Sequence, residues 1–455
     1  MTSPGNSVAS PPLRKSKIIF GVNKIPPHLL VAASGWASRF IVAATGLFTI
    51  RLLTQSLGSE RYAVYSILGG LQGWFLLIDF GIGVSLQNHI SERRARKEPY
   101  GEFISEAALL GAVLLAASTV LLYFIAPHFG SALLKEFPFL SPGEKRTDFF
   151  IVGLSAMTMA VGSMVYKIWY AEQKGYLANL VPAVASAISL LAVFLVSRSA
   201  LVDKLFWSLV ASFVPLAVFP VLGLVGKMAK CPKNCRALDP AVLGPLLKRA
   251  LKFWGFAIMA CGVLQIDYLI MSQFLKAPEI VVYNLASKVF NLVFFVYNAV
   301  LAAIWPICAE AVATSSWHVV QRYTRKYLVV GGGLIAFATV VFAISMPQLV
   351  RLLSPKEPVV VPVLFILLLG FYQMVRVWTD TFAMVLQSMS YLRPFWMFVP
   401  MQALLSAGLQ LALVPSYGIY GVVVGLIGSF LLTVSWLLPL ALQRHIKNVR
   451  RQQNI

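Results

Sequence analysis

Twelve long apolar stretches fill this chain between residues 29 and 442, and only short connections separate them. A helix needs about 20 mostly apolar residues to cross the ~30 Å hydrocarbon core of a bilayer. Such segments are predicted at 29–54, 63–89, 103–127, 149–172, 177–197, 205–226, 250–275, 280–309, 327–350, 359–388, 394–415 and 418–442. The chain is therefore predicted to be an all-α polytopic membrane protein whose working groups lie inside the helix bundle.

Composition excludes a water-soluble domain, because 58% of residues are hydrophobic and only 12% are charged, against about 25% charged in soluble proteins. The net charge of +21 does not indicate nucleic-acid binding, since the basic residues are scattered over short loops. With a cytoplasmic N-terminus, 24 Lys and Arg fall on the cytoplasmic side, 9 on the far side and 5 at membrane depth. This asymmetry follows the positive-inside rule and predicts that both termini are cytoplasmic, beside anionic membrane lipids.

The longest central connection divides the predicted spans six and six, so both halves have the same orientation and could be parallel repeats. Two short matches favour a repeat: Gln55 to Tyr65 aligns with Gln273 to Tyr283, and Tyr176-Leu177 aligns with Tyr391-Leu392. The predicted organisation is a disordered basic cytoplasmic tail at 1–28, a six-helix lobe at 29–226, a basic linker at 227–249, a second six-helix lobe at 250–442 and a basic tail at 443–455.

Charged side chains at membrane depth are the main candidates for function, because each costs about 2.5–3.5 kcal/mol at a helix centre. They usually face a bundle interior or a wet cavity. The basic members are Arg39, Arg51, Lys167, Lys288 and Arg376, and the acidic members are Asp79, Asp267 and Asp380.

Arg39 lies near the middle of the first predicted span, with no acid within one helical turn. It either pairs with an acid on another helix or lines a polar cavity and contacts an anionic substrate. Arg51 lies at the outer end of the same span, where snorkelling to the headgroups is favoured.

Three pairs of these charges have structural as well as functional interpretations. Asp267 and Lys288 reach a similar depth on consecutive spans, which slightly favours a structural ion pair over a substrate site. Arg376 and Asp380 are four residues apart and share a helix face, which favours a local ion pair. The third pair consists of Asp79 and Lys167, which could form a structural ion pair or part of an inner gate.

The sequence contains no arrangement typical of catalysis, of a Walker-type nucleotide site or of a metal centre. Cys231 and Cys235 have no partner set of cysteines or histidines, and the five histidines are dispersed. We therefore expect no cofactor, no metal and no enzymatic activity.

Three local patterns, in order along the chain, carry a family resemblance. Leu-Ile-Asp-Phe-Gly-Ile-Gly at 77–83 precedes a basic loop, and Val-Tyr-Asn-Leu-Ala-Ser-Lys fills 282–288. Val-Pro-Ser-Tyr-Gly-Ile-Tyr-Gly at 414–421 lies between the last two spans. Over 29–442 the chain resembles the polysaccharide transporters, the O-antigen type flippases of the multidrug/oligosaccharidyl-lipid/polysaccharide exporter superfamily.

The resemblance implies two six-helix lobes around a central cavity that opens alternately to either side of the bacterial inner membrane. It implies translocation of undecaprenyl-pyrophosphate-linked oligosaccharide for O-antigen, capsule or exopolysaccharide synthesis, with a polymerase and a chain-length regulator as possible partners. A pyrophosphate and sugar headgroup needs a wet, cationic path, since it cannot cross hydrocarbon unaided. The candidate headgroup contacts are Arg39, Lys288 and Arg376, and the coupling or gating candidates are Asp79, Lys167, Asp267 and Asp380.

Other functions stay open at this stage. A cation-coupled drug and toxin antiporter of the same superfamily should have an acidic cavity, whereas here five basic residues at depth outnumber three clear acids. A lipid II flippase more often has fourteen spans. A membrane-embedded glycosyltransferase or ligase predicts a sizeable external loop with catalytic residues, and a scaffolding protein does not explain Arg39.

Overall fold

The computed structural model describes residues 27–231, 238–313, 316–353, 360–389 and 391–453, with most of the side chains from residue 34 onwards. The first half of the chain contains α1 Pro27–Gly70, α2 Gln72–Phe75, a short 3₁₀ helix Leu76–Asp79, α3 Ile82–Ala95, α4 Gly101–Leu133, α5 Pro142–Gly162, α6 Met164–Ala171, α7 Gly175–Arg198 and α8 Lys204–Met228. The second half contains α9 Pro240–Leu264, α10 Ile266–Phe274, α11 Ala277–Ala313, α12 Trp317–Leu353, α13 Val363–Ser388, α14 Arg393–Tyr417, α15 Ile419–Leu432 and α16 Val434–Gln453.

Eleven helical segments of the described chain are long and apolar enough to cross a membrane. The first covers 46 residues, or about 69 Å at 1.5 Å per residue, which exceeds twice the ~30 Å core. Gly58 interrupts α1 with a φ of 73° and a ψ of 176°, so this segment makes two crossings, a first leg at 34–57 and a second leg from 59. The predicted all-α polytopic fold is confirmed, and its twelve spans correspond to these helices.

Contacts between distant parts of the chain define two ends of the bundle. At one end, Arg249 pairs with Glu92 at 2.8 Å, and Lys227 pairs with Glu172. We call this the tail end, because α16 also ends there. At the opposite, distal end, the Gln273 side chain donates a hydrogen bond to the carbonyl of Ala132 at 3.1 Å.

A helix break near the tail end receives α9. The 3₁₀ turn at 76–79 is followed by Phe80 and Gly81, both left-handed, with φ of 47° and 73°. Phe80 is not glycine, so this conformation needs support from its surroundings. The indole of Trp254 supplies part of it, donating to the carbonyl of Leu77 at 2.8 Å while its ring lies 4.8 Å from that of Phe80.

The beginning of α9 packs on helices of the first half of the chain. Ser85 donates to the carbonyl of Leu246 at 2.7 Å, and the buried carboxylate of Glu106 accepts the amide of Asp239 at 3.1 Å. Leu243, Leu246 and Ala250 belong to a buried cluster with α3, α4 and α6. The helix then breaks at Gln265, where φ is −127°, and continues as α10.

Four predicted segments fall partly outside the described residues, and two of them lack only residue 359 of the 359–388 span and residues 454–455 of the second tail. Residues 1–26 of the predicted basic tail and 232–237 of the predicted 227–249 linker are not described, and neither is Cys235. On either side of the latter gap, α8 ends at Met228 and α9 begins at Pro240. The lobe boundaries at 226 and 250 stay a prediction.

Candidate functional site

A polar cavity of about 460 Å³ lies between the two halves of the chain. Its walls come from the second leg of α1, α2 and α8 on one side and from α9 to α11, α13 and α15 on the other. The lining residues are Tyr65, Ser66, Gly69, Gly70, Gln72, Phe213, Val263, Gln265, Asp267, Tyr268, Tyr283, Asn284, Ser287, Lys288, Asn291, Leu369, Tyr372, Gln373, Arg376 and Leu426. Of the charged residues predicted at membrane depth, Lys288, Arg376 and Asp267 therefore line the same cavity.

Lys288 is half-buried in this wall, about three turns after the distal start of α11. In the described part of the chain its ammonium forms no ion pair, and the predicted pair with Asp267 is not formed. An ammonium without a carboxylate in a low-dielectric region is costly unless water or an anion solvates it. Lys288 is thus the cation in this wall that is most available to a ligand.

Arg376 forms the predicted local pair with Asp380, with Nη2 and Oδ2 separated by 3.7 Å. Its guanidinium also lies over the ring of Phe294, 4.0 Å from the ring centre, a favourable cation–π arrangement. The Arg376 side chain is 16% exposed and that of Asp380 is 34% exposed. Arg376 reaches the cavity, whereas Asp380 lies one turn further towards the tail end, outside its lining.

The distal side of the cavity is closed by a buried hydrogen-bond network. Asp267, only 6% exposed, accepts from the hydroxyl of Tyr283 and, at 3.0 Å, from the amide of Tyr268. Asn284 donates to the hydroxyl of Tyr268 and accepts from that of Tyr62, both at 3.0 Å. Since Tyr62 belongs to the first half of the chain, Asn284 ties the two halves together here.

Arg39 does not line the polar cavity, contrary to one of its two predicted placements. It is exposed, and its guanidinium lies 4.8 Å from the ring centre of Phe295. No ion pair with a described residue is formed. Its depth along the helix was predicted from the sequence, but the helix face that it occupies was not.

Arg39 instead lines two apolar grooves along the first leg of α1. The α7 groove, about 440 Å³, lies between this leg, Pro182 of α7 and α11. The α12 groove, about 730 Å³, lies between the same leg, α11 and α12. Apart from Arg39 and Arg51, the α12 groove has only apolar lining, consisting of Trp36, Phe40, Ala43, Ala44, Leu47, Phe48, Val289, Leu292, Val293, Phe295, Val296, Phe342, Leu349 and Leu352.

The cavity and the grooves share walls. Lys288 and Asn291 line both the polar cavity and the α7 groove. Arg39, Leu292 and Phe295 line both grooves. A polar space with amide, hydroxyl and ammonium groups therefore borders the α7 groove at Lys288 and Asn291, so the arrangement suits a ligand with a polar, anionic head and a long apolar chain.

Asp79 and Lys167 lie away from the cavity, and both side chains lie beside Gly83. Their predicted ion pair is not formed within the described residues. Asp79 accepts instead from the amide of Gly81 at 2.9 Å and so stabilises the left-handed turn before α3. This contact gives Asp79 a backbone-capping role at the break that receives α9.

Sequence reasoning missed the uncharged polar wall of the cavity. The ring of Tyr372 and five amide side chains contribute to this wall. The five amides are those of Gln72, Gln265, Asn284, Asn291 and Gln373. Amide groups within apolar spans carry a burial cost and therefore need partners, so they were a usable signal. Gln373 is 2% exposed; it donates to Asn291 at 3.4 Å, and its carbonyl oxygen has no hydrogen-bond partner among the described residues.

Comparisons with known proteins give consistent results. The chain is 35% identical to a putative O-antigen export protein of Yersinia pseudotuberculosis, over 95% of this chain and 99% of that one. It is also 35% identical to a putative O-antigen transporter of Salmonella typhi, over 94% and 98% of the two chains. No family model matches.

Two solved structures share the fold at 12% identity. One is an inward-facing multidrug resistance MATE family transporter, with a TM-score of 0.74 over 91% of this chain and 99% of that one. The other is the lipid II flippase MurJ in an inward closed conformation, with a TM-score of 0.69 over 91% and 87%. The chain is therefore a multi-pass membrane transporter that belongs to the polysaccharide transporter family of these O-antigen transporters, and it shares its fold with the MATE and MurJ transporters.

Proposed function

We propose that this transporter moves undecaprenyl-pyrophosphate-linked oligosaccharide units across the bacterial inner membrane by alternating access, for surface polysaccharide synthesis. The names of its relatives support an O-antigen substrate. The observation that carries the proposal is the wall at Lys288 that a polar cavity with two cations shares with the apolar α7 groove.

In this proposal the headgroup occupies the cavity and the prenyl chain stays in the grooves. Lys288 contacts the pyrophosphate at the junction, and Arg376 contacts it from the mouth of the cavity. Amides and tyrosine rings face the sugars, for which hydrogen bonding and stacking are suitable contacts. Arg39, at the entrance from the grooves, meets the phosphate as it arrives, since guanidinium binds phosphate bidentately.

The cation excess of the cavity disfavours a cation-expelling drug antiporter. Of the three charged residues in the lining, two are basic, and the carboxylate of Asp267 is already held by Tyr283. An organic cation would meet repulsion in such a low-dielectric space. A glycosyltransferase or ligase would need a substantial folded external segment, and the connections between the described helices are short.

We further propose that the tail end, with both termini, faces the cytoplasm, as its basic residues favour. A single cysteine placed at Ser141 in a variant without the four natural cysteines should react with a membrane-impermeant maleimide in intact cells. A cysteine at Lys97 should react only after the membrane is opened. The reverse pattern would invert the proposed topology.

A deletion strain tests the substrate. Without the transporter, lipid-linked repeat units should accumulate on the cytoplasmic face and surface polysaccharide should disappear, and the wild-type chain should restore it. Normal surface polysaccharide in the deletion strain, or loss of drug resistance instead, would overturn the proposal. In this proposal, a polymerase and a chain-length regulator act on the glycan after the transporter has moved it across the membrane.

A further inference from the structure

We propose that Asp380 is an exchangeable counter-ion, which neutralises Arg376 in the empty cavity and gives it up to the anionic head of the substrate. This inference rests on the proposed function and adds a specific role to one residue pair. The proposed ligand chemistry is a prenyl-linked diphosphate.

The donors of Arg376 are largely unused in the structure. The distance of 3.7 Å to Asp380 is too long for a hydrogen bond, and the guanidinium donates none to another residue in the described part of the chain. The guanidinium lies over the rings of Phe294 and Tyr372, and neither contact is a hydrogen bond, so its N–H edge stays available. That edge is the part of arginine that matches phosphate oxygens.

Asp380 is the more accessible partner of this pair. Breaking a buried ion pair is destabilising because it strands a charge, and the Asp380 side chain, at 34% exposure, is the less buried of the two. The Arg376 side chain, at 16% exposure, would be the stranded group. A diphosphate that replaces Asp380 would therefore neutralise the more buried member of the pair.

The other charges near Arg376 do not provide this exchange. Asp267 is held by Tyr283 and by a backbone amide on the distal side. Lys288 is a second cation and would favour the incoming anion. Asp380 is thus the described carboxylate that competes with substrate for Arg376, and the competition keeps binding weak enough for release.

Binding of farnesyl diphosphate to the purified full chain tests the exchange. We expect Asp380→Asn to tighten binding roughly tenfold, equivalent to about 1.4 kcal/mol, while Asp380→Glu keeps the wild-type value. In transport, Asp380→Asn should lower KM and also lower kcat, because the substrate is released slowly.

A double-mutant cycle separates this role from a structural one. In an Arg376→Gln background, which binds weakly, adding Asp380→Asn should change affinity little. Glu98→Gln, which breaks the exposed pair with Arg93 at 3.3 Å, is the matched control and should change neither quantity.

Unchanged or weaker binding in Asp380→Asn, or equal tightening with and without Arg376, would overturn the inference. Thermal unfolding of each variant shows whether it is folded, and Asp380→Ser provides a second neutral variant if Asp380→Asn is not. Failure of the wild-type chain to translocate lipid-linked glycan would overturn the proposed function. The double-mutant cycle in farnesyl diphosphate affinity tests the exchange at Asp380 independently of that result.

Discussion

Among single side chains, Lys288 has the clearest physical reason to contact a ligand. It is a lysine at membrane depth, it lines the cavity and the α7 groove, and no described carboxylate neutralises it. A structural lysine in such a place would be expected to pair, since an isolated charge is costly there. We infer that its ammonium is kept for the substrate.

Replacing Lys288 by Gln should lower transport about 10- to 100-fold, because a hydrogen bond to a charged group contributes about 1.5–3 kcal/mol. Lys288→Arg should keep part of the activity, since it keeps the charge. The measurement is the initial rate of lipid-linked glycan translocation at equal protein content.

Lys135→Gln is the control, because Lys135 is an exposed lysine beside Glu136 at the distal end and should be dispensable. Wild-type transport in Lys288→Gln would remove Lys288 from the binding site.

For the charged residues at membrane depth, the sequence predicts the position along the helix but not the helix face on which the side chain lies. The rise of 1.5 Å per residue places Arg39, Asp267 and Lys288 along the membrane normal, but it does not tell which helix face meets which neighbour. Asp267 and Lys288 do line one cavity, yet Tyr283 is the nearer partner of the carboxylate. The face of Arg39 depends on the packing of α1 against α7 and α11, which no local pattern contains.

At the level of helices, the first half of α9 packs as a part of the opposite half of the chain. Glu92, Ser85 and Glu106 hold it from α3 and α4, and Trp254 fills the break after the 3₁₀ turn. The continuation, α10, begins after the irregular Gln265. We therefore expect the bend at Gln265, which lines the cavity, to absorb relative movement of the two halves.

A cross-link between α3 and α9 tests this expectation. Cysteines replacing Glu92 and Arg249, whose side chains are exposed and bonded at 2.8 Å, can be joined by a short bis-maleimide in a variant without natural cysteines. Transport should continue, because the two helices move together. Complete inhibition by this link would mean that α9 separates from α3 during the cycle.

For the bundle as a whole, hydropathy and length predicted the number of crossings and the all-α class. The short sequence matches located one turn in each half of the chain. The matched segments that begin at Gln55 and Gln273 contain the Gly58 kink and the Leu275 link before α11. The cavity was not predictable in detail, since it depends on which faces of distant helices meet. Tyr62 and Asn284, for example, are 222 residues apart.

Alternating access requires the distal end to open. Cysteines replacing Ala132 and Gln273, which lie in contact across the two halves at that end, should stop transport when a short bis-maleimide joins them. The same reagent on either single-cysteine variant should leave transport intact. Full activity of the linked double variant would contradict an opening at the distal end.

The most direct test of the account is a structure of the full chain in lipid nanodiscs with an undecaprenyl diphosphate-linked oligosaccharide. The account predicts the diphosphate within hydrogen-bonding distance of Lys288, the sugars among the amides and tyrosines of the polar cavity, and the prenyl chain along the grooves past Arg39. A diphosphate bound away from Lys288, or a prenyl chain that leaves the grooves empty, would contradict it.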